Sequence, residues 1–266
     1  MRGVVVAGFI TGLMAVGAAG ARIEDPNTPT CCPVAANDSN EVDRALQRLQ
    51  DKAAGLKSYQ ANVDYVTKQP LLESQARRTG TLHYAKSQDR SSLRVNFLTL
   101  QQDEEPEQRY IEQFLFDGVW LVIVNHQTER VERRQLTEPN QPVDAFSLAS
   151  RHMPVIGFSK TEDLKKQFDV AIVSEPDDPA DLQHLRLHVR PDCAYSADYT
   201  QIDFWVDPKV GLPARITAVT TEEDVHEIRL LQPRINEGID PRIFRPEVPK
   251  GFAVEVIPLE EKPRNP

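Results

Sequence analysis

An α+β protein built on antiparallel strands is the fold class that the sequence predicts, and three observations predict it. Apolar residues alternate with period two through many short segments. Turn-forming pairs such as Asp117-Gly118 separate those segments. The few helix-like stretches interrupt the strand series instead of alternating with it, which argues against a βαβ parallel sheet. About ten or eleven strands and about three helices result. Twist and coiling curl a sheet of that size, and helices set in its mouth then cover the concave face.

The first helix starts at Asp38 or Ser39, with Glu41 placed for a capping box. Val42, Ala45, Leu46, Leu49, Ala53 and Leu56 fall at steps of three and four, so one stripe of the helix lies on something. From Ser58 the period changes to two, with Tyr59, Ala61, Val63 and Tyr65 on one face. A turn at Pro70 follows. Residues 81–86 form the next strand, and Leu93, Val95 and Phe97 mark another. The acidic run at 101–108 reads as a solvated loop.

Residues 110–136 (YIEQFLFDGVWLVIVNHQTERVERRQL) read as a three-stranded meander. Its middle strand is apolar on both faces, from Val119 to Val124, and its third strand is polar enough for an exposed surface or an edge. A short helical stretch at 145–153 and a capping box at 159–162 come next. Strands resume at 170–173, 182–189, 201–206, 214–219, 225–231 and 253–257, with a turn at 207–213.

The first 21 residues have a single positive charge, an uncharged apolar run and Ala19-Gly20-Ala21, a pattern for export with cleavage after Ala21 into the periplasm. The alternative is an uncleaved anchor, because the run is near spanning length. Residues 22–38 read as a flexible leader, 39–258 as the folded domain and 259–266 as a charged tail. The formal charge of −9 argues against nucleic acid as a partner. Cys31, Cys32 and Cys193 are too few for a disulfide framework, and no second ligand pair completes a zinc site.

No nucleophile elbow, zinc-protease motif or phosphate-cradling glycine loop is present, so the sequence points to no enzyme, no catalytic residue, no metal and no cofactor. His184 and His188 are four apart. On an alternating strand that is ~13 Å, too far for one ion, so both read as surface or half-buried. The doubly apolar strands either fill an ordinary core or line a cavity for apolar ligands.

The order of elements carries a resemblance. An exported amphipathic helix precedes Ser58-Tyr59-Gln60-Ala61-Asn62-Val63. Gly80-Thr81-Leu82-His83-Tyr84-Ala85-Lys86 follows, then Asp117-Gly118 before a Trp-bearing strand. Ile243-Phe244 leads into Pro246, Val248-Pro249-Lys250-Gly251-Phe252. From about residue 41 to 257 this resembles the LolA-like family of outer-membrane lipoprotein carriers. It is looser in its likeness to the acceptor LolB and to the sensor domain of RseB. The resemblance implies a strongly curved antiparallel half-barrel with helices as a lid. It implies shielding of the acyl chains of lipoproteins or lipids, between an inner-membrane release complex and an outer-membrane acceptor. A sensor or interaction protein of the cell envelope is the alternative. On this reading Leu82, Tyr84, Leu93, Val95, Phe97, Phe114, Trp120, Val122, Phe204 and Ile216 line the cavity, and Leu46 and Leu49 belong to the lid. Lys86 falls where the family carries a basic residue that meets the lid. Lysine lacks the planar fork of arginine, which puts lid closure by this residue in question.

Overall fold

The structure is a computed structural model that describes residues 39–87, 90–145, 161–193 and 195–259. The expected signal segment, the leader with Cys31 and Cys32, most of the helical stretch at 145–153, and the end of the tail lie outside the described residues. So do Ser159 and Lys160 of the second capping box.

The described chain is mostly sheet. Helix α1 (Ser39–Ala54) precedes six strands: β1 (Ser58–Gln69), β2 (Ser74–Ser87), β3 (Arg90–Gln102), β4 (Gln108–Phe116), β5 (Trp120–Asn125) and β6 (Arg130–Gln135). A second helix, α2 (Thr161–Gln167), leads into β7 (Phe168–Val173), β8 (Gln183–Val189), β9 (Tyr199–Asp207), β10 (Leu212–Thr220) and β11 (Val225–Ile235). Strand β12 (Ala253–Ile257) comes last.

Twelve strands, where about ten or eleven are expected, form one open curved sheet in the order β12–β6–β5–β4–β3–β2–β1–β11–β10–β9–β8–β7. Two antiparallel meanders, β1 to β6 and β7 to β11, join through the antiparallel pair β1–β11. One correction concerns the edge. β6 is an interior strand, because β12 lies parallel to it with Val254 opposite Val131. The polar surface of β6 reflects the chemistry of its neighbours, and the exposed edge belongs to β12, where Val254 and Val256 are open to solvent.

Local chemistry sets the turns. At the β4–β5 turn the Asp117 carboxylate accepts from the N–H groups of Val119 and Trp120, at 2.9 and 2.7 Å. At the β5–β6 turn the Asn125 side chain accepts from Gln127 and Thr128 N–H. At the β9–β10 turn Asp207 accepts from Lys209 and Val210 N–H. Each is an Asx turn, in which a short polar side chain stands in for a backbone acceptor. The β1–β2 hairpin instead ends in a 3-10 turn, Pro70–Leu72, that leaves Leu71 and Leu72 exposed at its tip.

The two faces of the sheet differ. Alternate residues of β1–β4 and β7–β11 form the main core together with the apolar stripe of α1. The stripe read from the sequence is the one used: Val42, Ala45, Leu46, Leu49 and Leu56 are all buried. The helix packs against β7, β10 and α2. The polar connection after β6 is drawn onto the same face, where the Asp144 carboxylate accepts from the hydroxyls of Tyr84 (3.1 Å) and Ser91 (2.8 Å). Ala145 N–H donates to the Ser91 hydroxyl at 2.7 Å, which brings Ala145 into the core.

Gly80 shows how tightly β2 and β3 are joined. The register shifts between Thr79 and Gly80, where β3 carries the extra residue Leu98. A Cβ on Gly80 would stand 1.8 Å from the Asn96 carbonyl oxygen, so only glycine lets the bulged strand approach. Gly80→Ala is expected to force the two backbones apart and to destabilise the fold by about 2 kcal/mol or more. A lowered denaturant midpoint with an unchanged m-value checks this.

Candidate functional site

The candidate site is the apolar sheet face that shares its core with α1, built from the residues that follow. Leu82 and Tyr84 of β2 and Leu93, Val95 and Phe97 of β3 belong to the main core. Phe204 of β9 and Ile216 of β10 join them from the other meander. Phe114 is partly buried and packs against this cluster, with its ring edge-on to Phe97 at 6.1 Å. Leu46, 1% exposed, and Leu49 press onto it from α1. These residues therefore share one face and one core, and their own side chains fill much of it.

Two expected lining residues are placed otherwise. Cross-strand partners share a face, and Val122 pairs with Leu115 while Leu121 pairs with Phe116 and Ile123 with Phe114. Leu121 and Ile123 therefore face the main core, and Trp120 and Val122 face away from it. Val122 and Val124 form a second, smaller core with Leu115 and Val131, against which Phe244 and Phe252 of the C-terminal segment pack. The Trp120 ring lies under the Arg133 guanidinium at 5.3 Å. The reason is register: alternation alone does not say which of two apolar faces is inward, and a one-residue choice exchanges them. Lys86 is exposed and makes no ion pair among the described residues.

The helix end is clamped. Asn236, in a left-handed conformation at φ 57°, accepts from Lys57 and Ser58 N–H at 2.7 and 3.2 Å and donates to the Gly55 carbonyl at 3.1 Å. It thus fixes the link between α1 and β1 to the end of β11. Beside this clamp a cavity of about 600 Å³ opens, lined by Lys52, Gly55, Val210, Leu212, Ile235 and Asn236 among others. Its size falls in the range of small-molecule sites. Gly211, at φ 75°, lets the Lys52 stem lie across the turn, since a Cβ there would stand 2.6 Å from Lys52 Cγ. Val210 and Ile235 pack against the main core, so the cavity borders the apolar face, while Asp51, Lys52 and Lys209 add charge to its lining. Sequence reading missed these rim residues. Their signal was the Asp207 turn and the end of β11, which local patterning reads only as punctuation.

The opposite face of the second meander carries a polar network. His184, expected to be surface or half-buried, is only 2% exposed; His188 is exposed. The His184 ring bridges two carboxylates: Nδ1 is 2.9 Å from Asp178 and Nε2 is 2.9 Å from Asp203. It also stacks on Trp205 at 4.3 Å, whose other contact is the Arg215 guanidinium at 4.2 Å. Arg186 Nε donates to Asp203, and Trp205 Nε1 donates to Asp178. Burial alone would disfavour the imidazolium, but the hydrogen bonds to Asp203 and Asp178 outweigh it and raise the His184 pKa. Burial likewise opposes the charge of both carboxylates, and their hydrogen bonds still hold Asp178 and Asp203 below the usual range.

Glu175, Asp178 and His184 place donor atoms within 4.8 Å of one another. A cation there would have to displace the shared proton of His184 and the Arg186 guanidinium, which is 2.8 Å from Glu175. The arrangement is that of a satisfied ion network holding β8, β9 and the 175–182 loop together.

No protein-family model matches the chain, and no curated protein sequence is similar to it. Among solved structures, the chain is similar in general plan to open-sheet proteins that include the LolA superfamily. An uncharacterised conserved protein from Thermus thermophilus aligns over 81% of this chain and 99% of its own, at 13% identity and TM-score 0.47. The Pseudomonas aeruginosa MucA/MucB complex gives a match over 78% of this chain at 12% identity and TM-score 0.46, spanning only 61% of the matched chain. A LolA superfamily protein from Nitrosomonas europaea aligns over 77% of this chain and 97% of its own, at 12% identity and TM-score 0.33. At these identities and scores none of the likenesses assigns a function.

The His184 network generates a pH prediction. A raised folded pKa means that the His184 contribution is complete below the unfolded histidine value of about 6.5 and is lost as pH rises through the folded value. The lowered pKa values of Asp178 and Asp203 act oppositely: their contribution is present above about 3.9 and is lost as pH falls through the folded values. The His184 contribution to wild-type stability is therefore expected to decline as pH rises above about 6.5. Replacing His184 with Gln should flatten that limb, as measured by urea midpoints across pH.

Proposed function

We propose that the protein binds acyl lipids or the acyl chains of lipoproteins on its apolar face and shields them in the cell envelope, with α1 as the cover. The single observation that carries this reading is a continuous apolar sheet face that shares one core with the apolar stripe of the 16-residue helix α1, beside a cavity of about 600 Å³ whose lining mixes Val210, Leu212 and Ile235 with Asp51, Lys52 and Lys209.

On this reading α1, whose apolar stripe belongs to the main core, covers the inner face of the curved sheet. Leu46 and Leu49 occupy the place that an acyl chain would take. Each buried methylene is worth about 0.8 kcal/mol, so a chain of ordinary length competes with the helix for this face. Directional polar groups are few beneath α1, where Tyr84, Ser91 and Asp144 satisfy one another, and such a surface suits varied chains. Among the described residues no helix is long and apolar enough to cross a membrane. Export to the periplasm is part of this proposal, as is exchange with a membrane on either side.

A fluorescent fatty-acid probe tests it. Saturable binding is expected in the exported protein, with tenfold or greater weakening in Val210→Asp and in Ile235→Asp, because each sets a charge at the cavity without removing a fully buried side chain. Trp120→Asp, on the other face, should leave probe affinity within about twofold. Absence of saturable binding to the folded wild type, or equal affinity in the rim variants, would contradict the reading. In the first case an interaction or sensor role takes precedence.

A further inference from the structure

The face opposite the main core carries a second recess, of about 320 Å³, over β2, β1 and β11. Its walls include Gln60, Asn62, Thr81, His83, Gln232 and Arg234. A break in the ladder makes room for it. Gln60 pairs with Arg234 and Asn62 pairs with Leu231, so the single residue Ala61 faces both Gln232 and Pro233. Gln232 takes φ 52° and Pro233 has no N–H to give to the ladder, and β11 bows away from β1.

The chemistry of the walls is one-sided. The whole chain has 40 acidic and 31 basic side chains, yet no carboxylate lines this recess. Arg234 Nη2 donates to the Gln60 carbonyl oxygen at 2.9 Å, and Asn62 Nδ2 donates to that of Gln232 at 3.1 Å. Each glutamine carbonyl accepts one bond, and the two amide NH₂ groups can donate. The Thr81 hydroxyl accepts from Asn96 at 3.3 Å and keeps its own proton to give.

His83 adds a fourth kind of donor. Its Nδ1 is buried without a partner among the described residues, and a neutral imidazole carries one N–H in either tautomer. Arg94 lies directly across from His83 on β3. Burial, then Arg94 and Arg234, push the His83 pKa down, which marks the surroundings as positive.

We propose that this recess binds a phosphate group. An arginine fork, amide and hydroxyl donors and an imidazole N–H converge without an opposing carboxylate, and phosphate is the oxyanion whose shape and charge that set fits. The phosphate is either free or carried on a lipid headgroup. The recess lies on the opposite face from the acyl site, so the two proposals stand or fall separately.

The experiment uses the whole protein and two probes, inorganic phosphate and sn-glycerol 3-phosphate, against a constant chloride background. The His83 imidazole signals in long-range proton–nitrogen spectra report occupancy, and calorimetry gives affinity. A saturable shift is expected with at least one probe. Glycerol phosphate binding ten times tighter than phosphate identifies a headgroup; equal or weaker binding identifies the free anion. Arg234→Gln should lose at least tenfold in affinity. Asn62→Asp, which keeps the shape and adds a negative charge, should abolish binding while thermal melting shows a folded protein. No saturable shift with either probe, or wild-type affinity in a folded Asn62→Asp variant, overturns the proposal.

Discussion

Val63 of β1 lies opposite Leu230 of β11, and Tyr65 opposite Ile228. This ladder is the seam that makes one sheet from two meanders, and the site depends on it. β1 follows the first helix and β11 ends the second meander, so the pairing closes most of the chain into a loop and draws the helix along with it. Because partners across a ladder share a face, the seam aligns the apolar side of β1–β3 with that of β9–β11. A single continuous face results, and Asn236 at the end of the seam ties the link after α1 to β11. Without the β1–β11 register there would be two separate sheets, each with a narrower apolar side.

The double apolarity of β5 finds its explanation in the same geometry. Leu121 and Ile123 complete the main face, while Val122 and Val124 meet the returning C-terminal segment. Phe244 and Phe252 cover that second core, Arg94 Nη1 donates to the Ile243 carbonyl at 2.6 Å, and β12 then adds itself beside β6. The C-terminal segment therefore serves as a cover for the outer face at the first meander. The second meander solves its outer face differently, with the His184, Asp203 and Arg186 network in place of an apolar cover.

Much of this was legible in the sequence, and the failures have physical causes. The stripe Val42, Ala45, Leu46, Leu49 is a strong signal because helix period and burial agree. The start of β2 was not seen, since Ser74 to Thr79 is polar and its strand state comes from pairing with β1 and β3. β12 was seen as a strand, but its parallel partnership with β6 is a long-range fact that no local pattern encodes. The inward face of β5 is not encoded in its alternation, because both of its faces pack against apolar neighbours. His184 looked like a surface residue, as its two carboxylate partners come from a loop and a neighbouring strand.

In the proposed function α1 is a cover that yields to an acyl chain. Hydrogen exchange on the protein with and without a bound fatty-acid probe measures this directly. If the chain takes the place of Leu46 and Leu49, the amides of Ser39–Ala54 exchange at least tenfold faster in the complex while those of β1 and β3 are unchanged. Unchanged or greater protection of α1, with the probe still bound, would contradict the account and place the ligand elsewhere on the protein.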